Sequence, residues 1–332
     1  MTRSATHSRT IIFITSLIVF LTLSLISARQ ASAADIGLSI NPPLLKVVVR
    51  PGKTITNVYK IENLSSTNKI LIARLIPFTT ADDQGNPNID PRATAPWLGY
   101  FSLANSFIKL NEPFEIKSGQ SEQLILSINI PITAPLRDLY ATLLVTSYGN
   151  SVASSLQGAA LSASIGSNLL ISVNTSATPS TILKITDFIP EEGKYLKIGD
   201  YYILDNITPI FFTAKARNEG DFTAETKGIF KIERNEKEPI NMQSVLPQYV
   251  LSKSQRKLAN MEGDKFHFTP RVGLLGKYSA KIDVRSESSN ASTQIDIIFF
   301  PGKILIGLTA VLLFLNIIIK LSLSSKTERS PY

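Results

Sequence analysis

Chemistry needs side chains that hold protons, metals or electron pairs, and this 332-residue chain has few of them. It contains no cysteine, which removes disulfides, thiolate zinc sites and Cys nucleophiles. Of its two histidines, His7 falls in a leader-like stretch, and His267 stands between Phe266 and Phe268. Strand alternation sends His267 to the face opposite those rings, toward solvent. Neither a Gly-x-Ser-x-Gly elbow nor a His-Glu-x-x-His pair accompanies it. Carboxylates cluster at Asp82–Asp83, Glu191–Glu192 and Glu236–Glu238, as they do on solvated turns. The loop Asp82-Asp83-Gln84-Gly85-Asn86-Pro87-Asn88-Ile89-Asp90 gathers oxygen ligands around a glycine. Its spacing is not that of an EF-hand, so it reads as a turn, with calcium as the alternative. No Gly-rich phosphate loop follows a strand. The expectation is a non-enzyme, with no cofactor and no metal.

Two groups could bind rather than react. The Pro-rich segment Asp90 to Phe101 concentrates the only tryptophan, Trp97, with Tyr100 and Phe101. Aromatics on a surface loop bring large contact area at little entropic cost. The competing reading is that Trp97 plugs an open end of the fold. Lys46 and Arg50 form a second group, a basic anchor suited to a carboxylate.

Both ends of the chain carry targeting signals. Met1 to Ala33 has Arg3 and Arg9 before an apolar run, Ile11 to Ser27, and ends in Ala31-Ser32-Ala33. The expectation is a signal peptide, 1–33, cut before Ala34, with an uncleaved N-terminal anchor as the alternative. A second apolar run, Ile304 to Ile319, reaches toward Leu323 and is followed by Lys320, Lys326 and Arg329 against Glu328. The expectation is a transmembrane helix, 301–323, with a cytoplasmic tail, 324–332, and the body outside. These signals also account for the net charge of +8. Three of the 34 basic residues lie in the leader and four from Lys303 onward, while of the 26 acidic residues only Glu328 does. The body therefore holds 27 against 25 and lacks the basic stripe that nucleic acid requires.

Between the ends the chain alternates with period two. Leu124, Leu126, Ile128 and Ile130 share one face, as do Tyr278, Ala280, Ile282 and Val284, and Ile210, Phe212, Ala214 and Ala216. These are half-buried strands, separated by turns such as Pro51-Gly52, Ser118-Gly119 and Asn218-Glu219-Gly220. The polar stretch Asn174 to Ser180 marks a boundary between domains at 34–176 and 177–300. Their patterns repeat. Leu136-Arg-Asp138-Leu-Tyr140 precedes one strand and Leu274-Leu-Gly276-Lys-Tyr278 another, each Tyr being either a tyrosine corner or an ordinary strand aromatic. Tyr59-Lys-Ile61-Glu62-Asn63 and Ala216-Arg-Asn218-Glu219-Gly220 both end a strand in Asn and turn-formers. The fold class is all-β, as two tandem immunoglobulin-like β-sandwiches.

Several of these residues carry a family resemblance. They are Pro42-Pro43, Lys46 through Arg50-Pro51-Gly52-Lys53, Glu62-Asn63, Gly119-Gln120-Ser121, Tyr140 and Ile165-Gly166-Ser167-Asn168 before Leu169-Leu170-Ile171. This part resembles the peptidoglycan-binding domain of bacterial WxL-interacting proteins and, more distantly, the N-terminal domain of pilus chaperones. Asn218-Glu219-Gly220, Gly228, Val245-Leu246-Pro247 and Gly276-Lys277-Tyr278 are similar to the fibronectin-III-like domain that follows it. The chain departs from that pattern at Leu246-Pro247-Gln248-Tyr249, with Arg256 several residues later. The resemblance implies a membrane-anchored binding module of the bacterial envelope, whose partner is peptidoglycan or another surface protein. The alternative it implies is a tethered chaperone that lends a strand to exported subunits. In a bacterium the sequons at Asn63, Asn174, Asn206 and Asn290 are incidental.

Overall fold

The computed structural model describes residues 37–80, 82–148, 163–234, 239–271 and 274–327. The leader, the Glu236–Glu238 cluster and residues 328–332 lie outside them.

Alternation becomes four sheets. The first runs β1 (Leu38–Asn41), β3 (Thr54–Asn63), β8 (Ser121–Asn129), β6 (Phe101–Leu103). The second runs β2 (Leu44–Val49), β10 (Ser164–Val173), β9 (Asp138–Ser147), β4 (Lys69–Thr80), β5 (Pro87–Ile89), with β7 (Pro113–Ile116) also on β4. These two share one core, in which Tyr59 and Ile61 of β3 and Leu124, Leu126 and Ile128 of β8 meet Leu143 and Val145 of β9. The third sheet holds β11 (Leu183–Pro190), β14 (Ile210–Asn218) and β17 (Gln255–Leu258), with β18 (Phe266–Phe268) also on β14. The fourth runs β12 (Tyr195–Ile198), β13 (Tyr201–Asp205), β20 (Asn290–Phe300), β19 (Gly276–Arg285), β15 (Ala224–Glu233), β16 (Asn241–Val250). Its core is aromatic, with the Phe230 ring 5.2 Å from Phe212 and 5.1 Å from Phe266. All strands of the first pair precede residue 174, and all strands of the second pair follow residue 182. The architecture is mostly β, as two sandwiches.

The sandwiches close alike. The last strand of each, β10 or β20, pairs antiparallel with its predecessor and parallel with an early strand, β2 or β13. A buried asparagine holds the same corner in both. Asn63 Nδ2 donates to the carbonyls of Thr67 and Ile116, and its Oδ1 accepts from the Ser65 N–H. Asn218 Nδ2 donates to Phe222 and Val250, and its Oδ1 accepts from the Gly220 N–H. Each side chain replaces ladder bonds that the turning backbone cannot make, which is why the residue is Asn and fully buried.

Two details refine the sequence reading. Residues Val245 to Ala259, where the family pattern breaks, form β16 and β17, and the β15–β16 register shifts between Thr226 and Gly228. A Cβ on Gly228 would lie 2.0 Å from the Asp283 carbonyl oxygen, so only glycine lets β15 approach β19 there. The segment before β6 is not an irregular loop but a 3-10 helix, Pro96–Tyr100, begun by proline.

After β20 comes Pro301, and then a single helix, α1 (Gly302–Thr327). Its stretch Gly302–Lys320 has a mean hydropathy of 2.3, is long and apolar enough to cross a membrane, and buries nothing against the body.

Candidate functional site

The short strand β6 is an edge, and aromatics bracket it. Trp97 and Tyr100 from the 3-10 helix pack half-buried on the first core, the Trp97 ring 6.0 Å from that of Phe101. Phe101 is itself a core residue, 6% exposed, and so cannot serve as an exposed anchor. Trp97 covers this edge of the core in the manner of a plug. At the other end of β6, Phe107 is 96% exposed, the largest fraction of any large apolar side chain among the described residues. It borders a groove of about 590 Å³ lined by Asn105, Pro113 and Glu122. Sequence reasoning passed over Phe107. Its only signal was an aromatic between Ser106 and Ile108 with no strand alternation around it.

Lys46 and Arg50 do not assemble into an anchor. The Lys46 ammonium lies 3.5 Å from Glu225 Oε2 and 5.0 Å from the centre of the Tyr249 ring, so it joins the two sandwiches. Arg50 is exposed beside the Pro51-Gly52 turn, beyond the end of β2.

That lysine belongs to a larger contact between the sandwiches. The Tyr140 ring faces away from its own core, stacked 5.7 Å from Phe78. Its hydroxyl donates to Asp138 Oδ2 at 2.6 Å and accepts from the Ser252 N–H at 3.0 Å. The same Asp138 oxygen accepts the Thr223 N–H at 2.6 Å, and Oδ1 accepts Ser172 Oγ at 2.6 Å. Burial, and then the charge of Asp138, push the Tyr140 hydroxyl well above its ordinary pKa, so it keeps its proton and donates. Tyr140 is therefore not a tyrosine corner tying a loop of its own sandwich. It is a bolt between sandwiches.

The loop Asp82 to Asp90 is a clasp in the same contact. Asp82 accepts from the N–H groups of Gln84 and Asn86 and from Asn86 Nδ2. Hydrogen bonds from Asn86 hold its carboxyl below the usual range. Asp83 reaches Lys215 at 3.2 Å and Lys257 at 3.3 Å, and its carbonyl accepts the Lys257 N–H. Burial alone would raise the Asp83 carboxyl, but the two lysines outweigh it and hold it low. These oxygens are committed to the loop and to the neighbouring sandwich, which favours the turn reading over calcium. Gly85, at φ +84°, lets the loop touch Arg256, for a Cβ there would lie 2.5 Å from the guanidinium carbon. Between clasp and bolt lies a cavity of about 180 Å³, lined by Phe78, Leu170, Tyr249 and Arg256 among others.

His267 sits as alternation requires, half-exposed between buried Phe266 and Phe268, its ring 6.2 Å from Phe211. Glu191 pairs with Lys265 at 2.7 Å. No cluster of three or more His, Asp or Glu able to hold a metal occurs among the described residues.

No protein-family model matches the sequence, and no curated protein does. Solved structures of pilus chaperones are distantly similar in fold. The class 5 fimbriae chaperone CfaA is 8% identical, with 80% of this chain and 100% of that chain covered and a TM-score of 0.37. A chain of the chaperone–tip adhesin complex of CFA/I fimbriae biogenesis is 10% identical, with 78% and 98% covered and a TM-score of 0.38. The E. coli chaperone DraB is 12% identical, with 80% and 97% covered and a TM-score of 0.34.

Proposed function

We propose that this protein is a non-catalytic binding module of the bacterial cell envelope, held at the membrane by α1 with its two sandwiches outside. The observation that carries the reading is α1, whose apolar stretch Gly302–Lys320 is exposed and which follows β20 with only Pro301 between. The contact surface is the β6 edge, with Phe107 at one end and the half-buried Trp97 and Tyr100 at the other, and the partner is peptidoglycan or another surface protein. A strand-lending role would have to use a sheet edge, and the edge strands β1, β2, β5 and β6 of the first sandwich are only three to six residues long.

The test has two arms. Protease added to spheroplasts should remove the body and spare a C-terminal tag. Protection of the body with loss of the tag would reverse the topology. In the second arm, the detergent-solubilised protein is incubated with cell-wall sacculi and with crosslinked envelope extract. Retention should fall about tenfold or more in Phe107→Ala, with folding unchanged. Trp97→Ala should instead lower the stability of the first sandwich, since it uncovers Phe101. Retention by neither material, or retention indifferent to Phe107, would remove the reading's basis.

A further inference from the structure

We propose that the end of the second sandwich around Ile207, Leu275 and Phe300 is a lipid-contacting face, seated in the headgroup layer of the bilayer that α1 crosses. This rests on the reading of α1 as a membrane span. Three apolar side chains stay exposed there, Ile207 at 39%, Leu275 at 52% and Phe300 at 45%. They come from three separate segments that the sheet register brings to one level. Asp205, two residues before Ile207, pairs with Phe300, and Gly276, next to Leu275, pairs with Phe299. Single exposed apolar residues are ordinary on a protein surface. Three of them around the exit point of an apolar helix are not.

The chain leaves little room for any other arrangement. From Phe300 to Gly302 is at most ~7 Å of extended backbone, and Ile304 lies two helical steps further, ~3 Å. Ile304 opens the apolar run, so Phe300 stands within about 10 Å of the hydrocarbon edge. The polar layer on each side of a bilayer is roughly 5–8 Å deep, within reach of a phenyl ring from that point. Nor can the loops swing away freely. Asp205 Oδ2 accepts the Lys303 N–H at 3.2 Å, which ties β13 to the first turn of α1. Asn206 Nδ2 donates to the Leu274 carbonyl at 2.9 Å, which ties that loop to the one bearing Leu275. Lys194, Arg271 and Lys303 are exposed around the same end, without ion-pair partners among the described residues. Of the nearby acids, Asp205 already serves Lys303 and the Ile207 N–H, Glu191 is paired with Lys265, and Glu192 is exposed. Interfacial binding of this kind combines buried apolar area with flanking basic groups.

The absence of cysteine makes the test direct, because each introduced thiol is unique. The full chain would be reconstituted in vesicles of phosphatidylcholine and phosphatidylglycerol, carrying an environment-sensitive fluorophore at one position. The positions are Ile207→Cys, Leu275→Cys, Phe300→Cys, Leu312→Cys within α1, and Leu64→Cys on an exposed turn of the first sandwich. Lipids carrying a quencher near the headgroups should quench the label at 207, 275 and 300 and shift its emission to the blue, with no change at 64. Quenchers placed deep in the acyl chains should reach position 312. If 312 is quenched while 207, 275 and 300 all behave like 64, the lipid-contacting face is wrong and the anchor stands. If 312 is not quenched, α1 does not insert and both readings fall. Three independent sites keep the result readable if one variant fails to fold.

Discussion

Tyr140 and Tyr278 each stand third in the strand next to last in their sandwich, and each faces the closing strand, across from Leu170 and Ile297. Their surroundings differ completely. Tyr278 is 7% exposed within the second core, its ring 5.0 Å from Phe299, with Arg234 over it at 5.6 Å. Tyr140 points the other way, out of the first core, and its hydroxyl bonds across to the second sandwich. One residue of phase separates them. In a strand such a step exchanges the two faces, so the same residue at the same place in the pattern becomes a core ring in one copy and a bolt in the other. A repeated motif repeats the backbone, not the task.

The largest effect that could break this comparison is at the core ring. Tyr278→Ala should destabilise the second sandwich by about 3–5 kcal/mol, through lost transfer energy and a residual cavity. Hydrogen exchange should then show faster exchange in β19 and β20 while β8 and β9 keep their protection. Equal loss in both sandwiches would mean that they unfold as one unit. Asp138→Ala comes next, at about 2–3 kcal/mol, since it strips a charged acceptor from Tyr140, Ser172 and Thr223 together. The Thr223 and Ser252 amides report it directly and should both lose protection, with the two cores intact.

Tyr140→Phe sharpens the assignment at about 1 kcal/mol, the worth of an ordinary hydrogen bond. The Ser252 amide should lose its acceptor, whereas Thr223, bonded to Asp138, should keep its own. Loss at both would make the hydroxyl, not the carboxylate, the hub. The smallest effect belongs to the clasp, at less than about 1 kcal/mol because its lysines are partly solvated. The Asp83 carboxyl is held low in the folded protein, so its contribution is fully present above the ordinary Asp value of about 3.9. That contribution disappears as pH falls through the lower folded value. Protection at the Lys257 amide should follow the same course and should also weaken with added salt.

Much of this was legible in the chain, for reasons that can be named. The phase of Leu124, Leu126, Ile128 and Ile130 gives their burial directly, as each reads 0% exposed. Asn63 and Asn218 announced a shared corner because only a side-chain amide supplies donors and an acceptor at a turning strand end. The phase of Tyr140 was also legible, for it is out of step with Leu143 and Val145, whereas Tyr278 is in step with Ala280 and Ile282. The motif alone left a tyrosine corner and an ordinary strand aromatic both open, and the phase separates them. The clasp could not be read in advance. Nothing in Asp82 to Asp90 says that Lys215 and Lys257, over a hundred residues away, will meet it, since such pairings depend on how two finished domains sit together. The β6 edge was half legible, through its aromatics but not through which of them would remain outside.

The direct passage from β20 into α1 has a mechanical meaning as well. If α1 anchors the protein as proposed, load on the body leaves through β20, the strand that continues into that helix. β20 is bonded to β19 from Asn290 to Phe299 and, over its last five residues, also to β13 from Asp296 to Phe300. Tension along that strand shears two ladders at once, so their hydrogen bonds share the strain instead of opening one after another like a zip. The parallel partner β13 is also pinned to the helix through Asp205, which gives the load a second path into the anchor. The second sandwich is thereby built as a tension joint.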